Sequence, residues 1–462
     1  MQSIAAHLEA IRSGRSTPSA VARDLVARLH GPGSAAGADP AWITLVEPGA
    51  LLAAAAVLDD RTDLPLCGVP FAVKDNIDVA GLPTTAACPG FATVPTVTAP
   101  VVASLLQAGA LLVGKTNLDQ FATGLVGTRT PYGACASVLD PRYVSGGSSS
   151  GSAVVVADGT VVFALGTDTA GSGRVPAAFN GIVGLKPTRG VISTRGVLPA
   201  SRSLDCVSVF TRDVADATRV LDVCAVPDAH DPFARTDGRD AGAPATWSPG
   251  DRVRLAVPDA AGLQALDGPA RRGWESALAH AADDLAAEVV AVDIAPLAEA
   301  ARLLYDGPWL AERYADLAAV LDARPAGLDP TVAAVVGRGA TASAADAFRA
   351  MHRLAELRLV TRELLGGIDA LLLPTAPTIP TFAEVAAEPI AVNRRLGTYT
   401  NSVNLLDLCA IAVPVLDRGG EVVRPPFGVT LVAVAGADRT LLALAAAWTA
   451  AVPQAVPASV LP

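Results

Sequence analysis

Of the 35 Lys and Arg side chains in this 462-residue sequence, only three are lysine. Lys74, Lys115 and Lys186 each sit in a compact motif: Phe71-Ala72-Val73-Lys74-Asp75-Asn76, Gly114-Lys115-Thr116-Asn117 and Gly184-Leu185-Lys186-Pro187. A guanidinium keeps its proton in a protein, whereas a buried ammonium can lose it. Between Lys74 and Lys186 run two Ser/Gly-rich stretches without a histidine. They are Ser145-Gly146-Gly147-Ser148-Ser149-Ser150-Gly151-Ser152-Ala153 and Gly166-Thr167-Asp168-Thr169-Ala170-Gly171-Ser172-Gly173-Arg174-Val175-Pro176. A serine hydroxyl is a poor nucleophile until a base takes its proton. A lysine can be that base when burial brings its pKa towards neutrality. A Ser/Lys reaction centre is therefore the first chemistry these residues suggest. A coding bias towards arginine would account for the lysine count alone.

Other readings of the same residues compete. A flexible Ser/Gly linker would not lead at once into the apolar Ala153 to Ala157 and the strand-like Val161 to Leu165. Gly147-Ser148-Ser149-Ser150-Gly151 matches a nucleophile elbow, which needs a downstream carboxylate and histidine. His230 lies in loop-like sequence, and His280 and His352 in Ala-rich helical patterns. No P-loop consensus is present, which sets a phosphate-cradling loop aside.

The elements that must position these residues alternate. Thr17-Pro18-Ser19 opens a helix that Ala20 to His30 continues, and residues 31–39 read as a loop. Ala99 to Gly109 reads as a helix, and Ala110 to Gly114 and Val161 to Leu165 as buried strands. Helix and strand patterns alternate over 65–225, which implies a layered α/β core. The expected organisation is one domain over 1–462. It has N-terminal helices at 1–64, a core at 65–225 and a mostly helical insertion at 226–365 that begins with a loop at 226–250. Residues 366–452 return to the same sheet (Ile368 to Pro374, Phe427 to Val432) and add a last helix from Ala437; 453–462 form a loose tail.

Apolar residues make up 51% of the chain and aromatics 4%, a composition suited to small helices packed on a sheet. A net charge of -10 without a basic cluster argues against nucleic acid and anionic membrane as partners. No apolar run of about 20 residues stands out as a membrane span. Met1 to Glu9 lacks the pattern of a signal peptide, so a cytoplasmic location is expected. The six cysteines form no C-x-x-C pair and read as buried thiols.

In spacing and flanks, Gly68-Val69-Pro70-Phe71-Ala72-Val73-Lys74-Asp75-Asn76, Gly146 to Gly151 and Gly166 to Pro176 resemble the amidase signature family. The resemblance runs from about Gly68 to Asp216 and resumes around Pro374 and Phe427. It implies an α/β/α fold with a central mixed β-sheet flanked by helices, and amide hydrolysis through an acyl-enzyme by a Ser-cisSer-Lys set. By motif position Ser172 is the nucleophile, Ser148 the bridging serine and Lys74 the base. The N–H groups of Thr169, Ala170 and Gly171 form the oxyanion hole, and Asp168, Arg174 and Ser149 support the loops. A cis peptide before Ser148 costs roughly 3 kcal/mol and needs a tightly packed loop. No metal or organic cofactor is implied. Lys115 is expected to pair with Asp119 or the loop carrying Asn117, and Lys186 to brace the sheet.

Within that family, Gly114 to Arg129, Thr169 to Ala177, Ser203 to Ser208, Leu304 to Tyr314 and Asn404 to Pro414 are similar to the allophanate hydrolases. That similarity implies a substrate carboxylate held by Tyr305 and Arg313, with Gly124 also at the substrate. Pro308 suits a first helical turn with Asp306 near the cap. Arg313 then projects from the second turn, with Tyr305 just before the helix; the alternative is an Arg313 paired with Glu312 or Asp316 on a solvated face. A small, anionic amide is the expected partner, with a homodimer as a further expectation. Allophanate hydrolases often carry a C-terminal domain that acts on the amidase product. A chain ending at Pro462 implies a separate protein for that step, unaided decay of the product, or another substrate. Residues 417–426 look longer than the usual turn. The competing functions are a broader-specificity amidase or carbamate or aryl amide hydrolase, and a non-catalytic or amidotransferase-complex subunit.

Overall fold

The computed structural model describes residues 3–31, 39–235, 247–248, 250–416 and 422–450. One mixed sheet of eleven strands organises them. In chain order the strands are β1 (Trp42–Leu45), β2 (Pro70–Lys74), β3 (Leu111–Thr116), β4 (Phe163–Thr167), β5 (Val183–Lys186) and β6 (Val207–Thr211). They continue as β7 (Arg254–Pro258), β8 (Glu288–Val292), β9 (Ala370–Pro374), β10 (Leu408–Pro414) and β11 (Gly428–Val434). Across the sheet the order is β1-β3-β2-β4-β6-β5-β10-β11-β9-β7-β8. β2 runs parallel to β3 and β4, and β7 parallel to β8 and β9; the other pairings are antiparallel.

Every residue of β2, β4, β6 and β9 is buried, as expected of strands covered on both faces. Alternate side chains feed two cores. Phe71 and Val73 enter one with Ile4, Leu8 and Ile11 of helix Ile4–Arg12; Ala72 enters the other with Ala22, Leu25 and Leu29 of helix Pro18–His30. Phe71 lies opposite Phe163 on the neighbouring strand, and the rings stack with centroids 5.2 Å apart. Such a pair adds about 0.5–1.5 kcal/mol beyond its buried area and fixes β2 against β4, the two strands that end at the candidate site. Helix Pro18–His30 starts where Thr17 predicts, its side chain accepting from the Ala20 N–H.

Two regions differ from the sequence-based expectation. Residues 1–64 add a strand, β1, to their helices, and 226–365 contribute β7 and β8 rather than helices alone. β8 is an edge strand with only alternate positions partly covered. It is five residues long between helices Gly268–Asp283 and Ala295–Tyr305, so its period-two signal is lost in Ala-rich surroundings. All six cysteines are buried free thiols. Among the described residues no helix is long and apolar enough to cross a membrane. The expected loose tail at 453–462, and residues 417–421 of the lengthened turn, lie outside the described residues.

Candidate active site

Two parallel neighbours, β2 and β4, end side by side with Lys74 and Thr167. Clefts beyond the carboxyl ends of parallel strands are where α/β folds gather reactive groups. Lys74 has no exposed surface. Its Nζ donates to Ser148 Oγ at 2.7 Å and to Thr167 Oγ1 at 2.8 Å. Burial pushes its pKa down to about 7, against the opposing pull of the Asp119, Asp205 and Asp168 carboxylates; the Arg313 charge pushes it further down. An ammonium held there is poised to lose its proton near neutrality.

Ser148 sits in the turn before helix Ser150–Ala157, and the Gly147–Ser148 peptide is cis. The turn is fastened on both sides: the Asp119 N–H donates to the Ser148 carbonyl and the Gly147 N–H to the Leu125 carbonyl. A Cβ on Gly147 would stand 2.2 Å from Asp119 Oδ2, so only glycine fits. Gly124 faces the same carboxylate, at 2.4 Å from where its Cβ would be. Asp119 is thereby spoken for: it accepts from the Val126, Gly127 and Arg129 N–H groups. Ser149 Oγ donates to the Thr167 carbonyl and does not face a histidine, so the elbow pattern is coincidental.

Ser172 lies in the loop between β4 and helix Arg174–Phe179, 4% exposed, and its hydroxyl has no hydrogen-bond partner among the described residues. The loop is braced by a buried two-pronged pair: Arg174 Nε donates to Asp168 Oδ2 at 2.8 Å and Nη2 to Oδ1 at 2.9 Å. Burial opposes the Asp168 charge, yet the guanidinium and the Gly171 N–H keep its pKa low. That last bond bears on the expected oxyanion hole. The Gly171 N–H is donated to Asp168 at 2.7 Å and is not available. The N–H groups of Thr169, Ala170 and Ser172 donate to no acceptor among the described residues. Buried N–H groups are rarely left unpaired, so these three are available to an incoming acceptor. Gly171 itself adopts φ +131°, and a Cβ there would meet Thr400 Oγ1 at 2.3 Å.

Arg313 projects from the second turn of helix Trp309–Ala323 and is 2% exposed. The solvated alternative fails, because its neighbours turn elsewhere: Glu312 accepts from Ser201 and Ser203, and Asp316 pairs with Arg202. Arg313 Nη1 donates to Thr123 Oγ1 at 2.7 Å, and the guanidinium lies 5.8 Å from the centre of the Tyr305 ring. It has no carboxylate partner among the described residues. Tyr305 ends the preceding helix, Ala295–Tyr305, instead of standing free before the next one. Asp306 gives the following helix no side-chain cap; it is the C-cap of Ala295–Tyr305, its N–H donating to the Arg302 carbonyl, and its carboxylate pairs with Arg394. Lys115 is likewise corrected: its partner is Asp75 at 3.0 Å, both wholly buried, with Pro83 and Thr84 accepting its other protons. The Asp119 carboxylate, already filled by backbone N–H groups, leaves it no place. Lys186 Nζ donates to the Pro187 carbonyl at the end of β5.

Three residues close to this centre carry no role in the sequence reading. Thr167 shares the Lys74 protons. Asn404 donates to the Asp168 and Leu204 carbonyls and ties the loop to the segment before β10. Asp205 accepts from Thr169 Oγ1 at 2.5 Å and from the Ala200 and Ser201 N–H groups. Burial pushes its pKa up to about 6, and Thr169 and Arg313 restrain the rise. Asp205 lies in the motif stretch Ser203 to Ser208, but nothing local in the sequence says that its carboxylate reaches Thr169.

Asp205→Asn is expected to lower kcat for amide hydrolysis by about tenfold, from a looser Thr169, with KM little changed. Because the Asp205 charge raises the Lys74 pKa, its loss moves the rising limb of the pH–rate profile to lower pH. Asp119, Asp168 and Arg313 remain as the other charges acting on Lys74. An unmoved limb would leave Asp205 a purely structural part of the loop.

The fold, with the buried Lys74 bonded to Ser148 and with Ser172 on the loop that follows β4, is that of an amidase. The family Amidase matches residues 34–442, and the chain belongs to it. The urea amidolyase of Saccharomyces cerevisiae is 46% identical over 420 residues, covering 88% of this chain and 22% of that protein. The chain thus spans less than a quarter of the urea amidolyases it matches. A solved structure of Kluyveromyces lactis allophanate hydrolase is 42% identical with a TM-score of 0.88, covering 98% of this chain and 73% of that one. A glutamyl-tRNA(Gln) amidotransferase polypeptide of Halobacterium salinarum is 34% identical, covering 84% of this chain and 97% of that protein.

Proposed function

We propose that the chain hydrolyses the terminal amide of allophanate, with Ser172 as nucleophile, Ser148 as proton relay and Lys74 as base. Ser172 Oγ attacks the carbamoyl carbon while its proton passes through Ser148 to neutral Lys74. The Thr169, Ala170 and Ser172 N–H groups receive the oxyanion. Ammonia leaves with the proton returned through Ser148, and water hydrolyses the acyl-enzyme by the same relay. The product keeps the original carboxylate and gains a second.

The observation that carries the substrate is Arg313: a buried guanidinium near Lys74 and Asp205, without a carboxylate partner among the described residues. Arg binds carboxylates in a two-pronged geometry, and allophanate is urea bearing one. Tyr305 supports the guanidinium through its ring, and Gly124 keeps the wall beside Asp119 thin. Arg313→Ala is expected to lower kcat/KM for allophanate by about a hundredfold, mostly through KM, and to leave benzamide turnover within about threefold. Equal loss on both substrates would remove Arg313 from carboxylate binding, and faster turnover of benzamide than allophanate by the unaltered protein would favour a broader amidase.

The likeness to glutamyl-tRNA(Gln) amidotransferase chains supports a second reading, since glutamine also carries a carboxylate beside its amide. Ammonia release from glutamine exceeding that from allophanate would select it. A protein that consumes the dicarboxylate product is the partner this function calls for. A soluble, cytoplasmic setting fits such an enzyme.

A further inference from the structure

Thr123 stands 190 residues from Arg313 in the chain, and their side chains meet at 2.7 Å. The segment that presents Thr123 has a costly backbone. Phe121 and Ala122, neither of them glycine, take left-handed φ values of 51° and 52°. Residues with a Cβ hold such a conformation only where their surroundings enforce it. Here the Phe121 N–H donates to the Ala86 carbonyl and the Gln120 N–H to the Arg129 carbonyl. The Phe121 ring meets Phe91 edge-on, with centroids 5.3 Å apart, and joins Leu317 in a buried cluster. Leu317 lies one turn beyond Arg313 on helix Trp309–Ala323. The left-handed pair thus packs Phe121 against the helix that carries Arg313 and brings Thr123 to the arginine itself.

The polarity of the Thr123 hydroxyl is fixed. It donates its proton to the Phe121 carbonyl at 3.2 Å, so towards Arg313 Nη1 it is an acceptor. Its backbone is held as well: Arg129 Nη1 donates to the Thr123 carbonyl and Nη2 to the Pro389 carbonyl, both at 2.8 Å. Thr123 and Arg129 are both buried. A guanidinium can turn about its stem, and the bond at Nη1 together with the Tyr305 ring at 5.8 Å restricts that turn. Among the described residues Arg313 Nε and Nη2 donate to nothing, yet neither is sealed from solvent. Those two atoms form an edge on which a guanidinium grips a carboxylate with two parallel bonds.

We propose that Thr123 is a positioning and specificity-determining residue, whose hydroxyl sets the Arg313 guanidinium so that its Nε–Nη2 edge meets the substrate carboxylate. Thr123 touches the arginine and not the reacting atoms. The inference rests on Arg313 as the carboxylate binder, and steady-state kinetics of the full chain separates the two. Valine keeps nearly the shape of threonine and removes the acceptor. Thr123→Val is expected to raise KM for allophanate about tenfold, with kcat within about threefold. The ratio of kcat/KM for allophanate over benzamide falls by the same factor. Thr123→Ser keeps the hydroxyl and brings KM back to within about threefold of the unaltered protein. In the double variant Thr123→Val/Arg313→Ala, KM rises no further than in Arg313→Ala alone, because the hydroxyl acts only through the arginine. Should Thr123→Val fail to fold by circular dichroism, Thr123→Ala takes its place in every comparison. A raised KM in Arg313→Ala beside an unchanged one in the folded Thr123 variant overturns the inference and leaves Arg313 as the carboxylate binder. So does a multiplied effect in the double variant, an equal loss on benzamide, or a KM that Thr123→Ser does not restore. An unchanged KM in Arg313→Ala removes Arg313 from carboxylate binding, and the inference falls with it.

Discussion

Replacing Ser172 with alanine is expected to reduce kcat for amide hydrolysis by at least about 10⁴-fold while leaving the fold intact. The hydroxyl makes no internal hydrogen bond among the described residues, so its removal orphans no buried group. Its stability cost should stay within about 0.5 kcal/mol. The loss is therefore chemical and not structural. The same substitution should abolish covalent labelling by a fluorophosphonate, which adds to an activated serine. Labelling that persists in a folded Ser172→Ala protein would move the nucleophile elsewhere.

Lys74→Met should be as damaging to activity, yet stabilising near neutrality. Methionine keeps the length of the side chain and removes the charge that burial opposes. The folded pKa of Lys74 is about 7, against the ordinary 10.5. Between those values the unfolded chain binds more protons than the folded one, so stability of the native protein rises with pH there. Below pH 7 the full cost of burying a lysine is present; above about 10.5 it vanishes. The stability advantage of Lys74→Met should thus shrink by on the order of 3 kcal/mol from pH 7 to pH 10. The stranded Ser148 and Thr167 hydroxyls subtract roughly 1–2 kcal/mol each at every pH, which alters the offset and not the slope. In the native enzyme kcat/KM should climb through pH 7 as Lys74 loses its proton. A denaturation difference that is flat from pH 6 to 10 would mean an ordinary Lys74.

Much of the layered core could be read from local pattern. Thr17-Pro18 marks a helix start because the capping bond and the fixed φ of proline are local properties. β3, β4, β9 and β11 announce themselves as short apolar runs bounded by Gly or Pro. β8 does not, because an edge strand needs neither continuous apolarity nor strong alternation. The motifs also group Lys74 with Ser148, and the structure brings their side chains to 2.7 Å. What could not be read was who satisfies whom across long separations. Lys115 meets Asp75 and not the nearer-in-sequence Asp119, since the latter is consumed by three N–H groups of its own loop. The Gly171 N–H looks free in a motif and is taken by Asp168 in space. Asp205 reaches Thr169 only because β6 lies beside β4.

β5 finds its second neighbour in β10, more than two hundred residues later in the chain. Until that partner is synthesised, one flank of the half-built sheet has bare N–H and C=O groups, an invitation to stray pairing. Asn404, which anchors the Asp168 loop, arrives with the same late segment. Birth on the ribosome thus orders events: Ser172 is translated early, but the strands and loops around it are complete only after β10 and β11 have emerged. A nascent fragment without that segment lacks the Asn404 bond to the Asp168 loop, and slow maturation through distant contacts is the corollary.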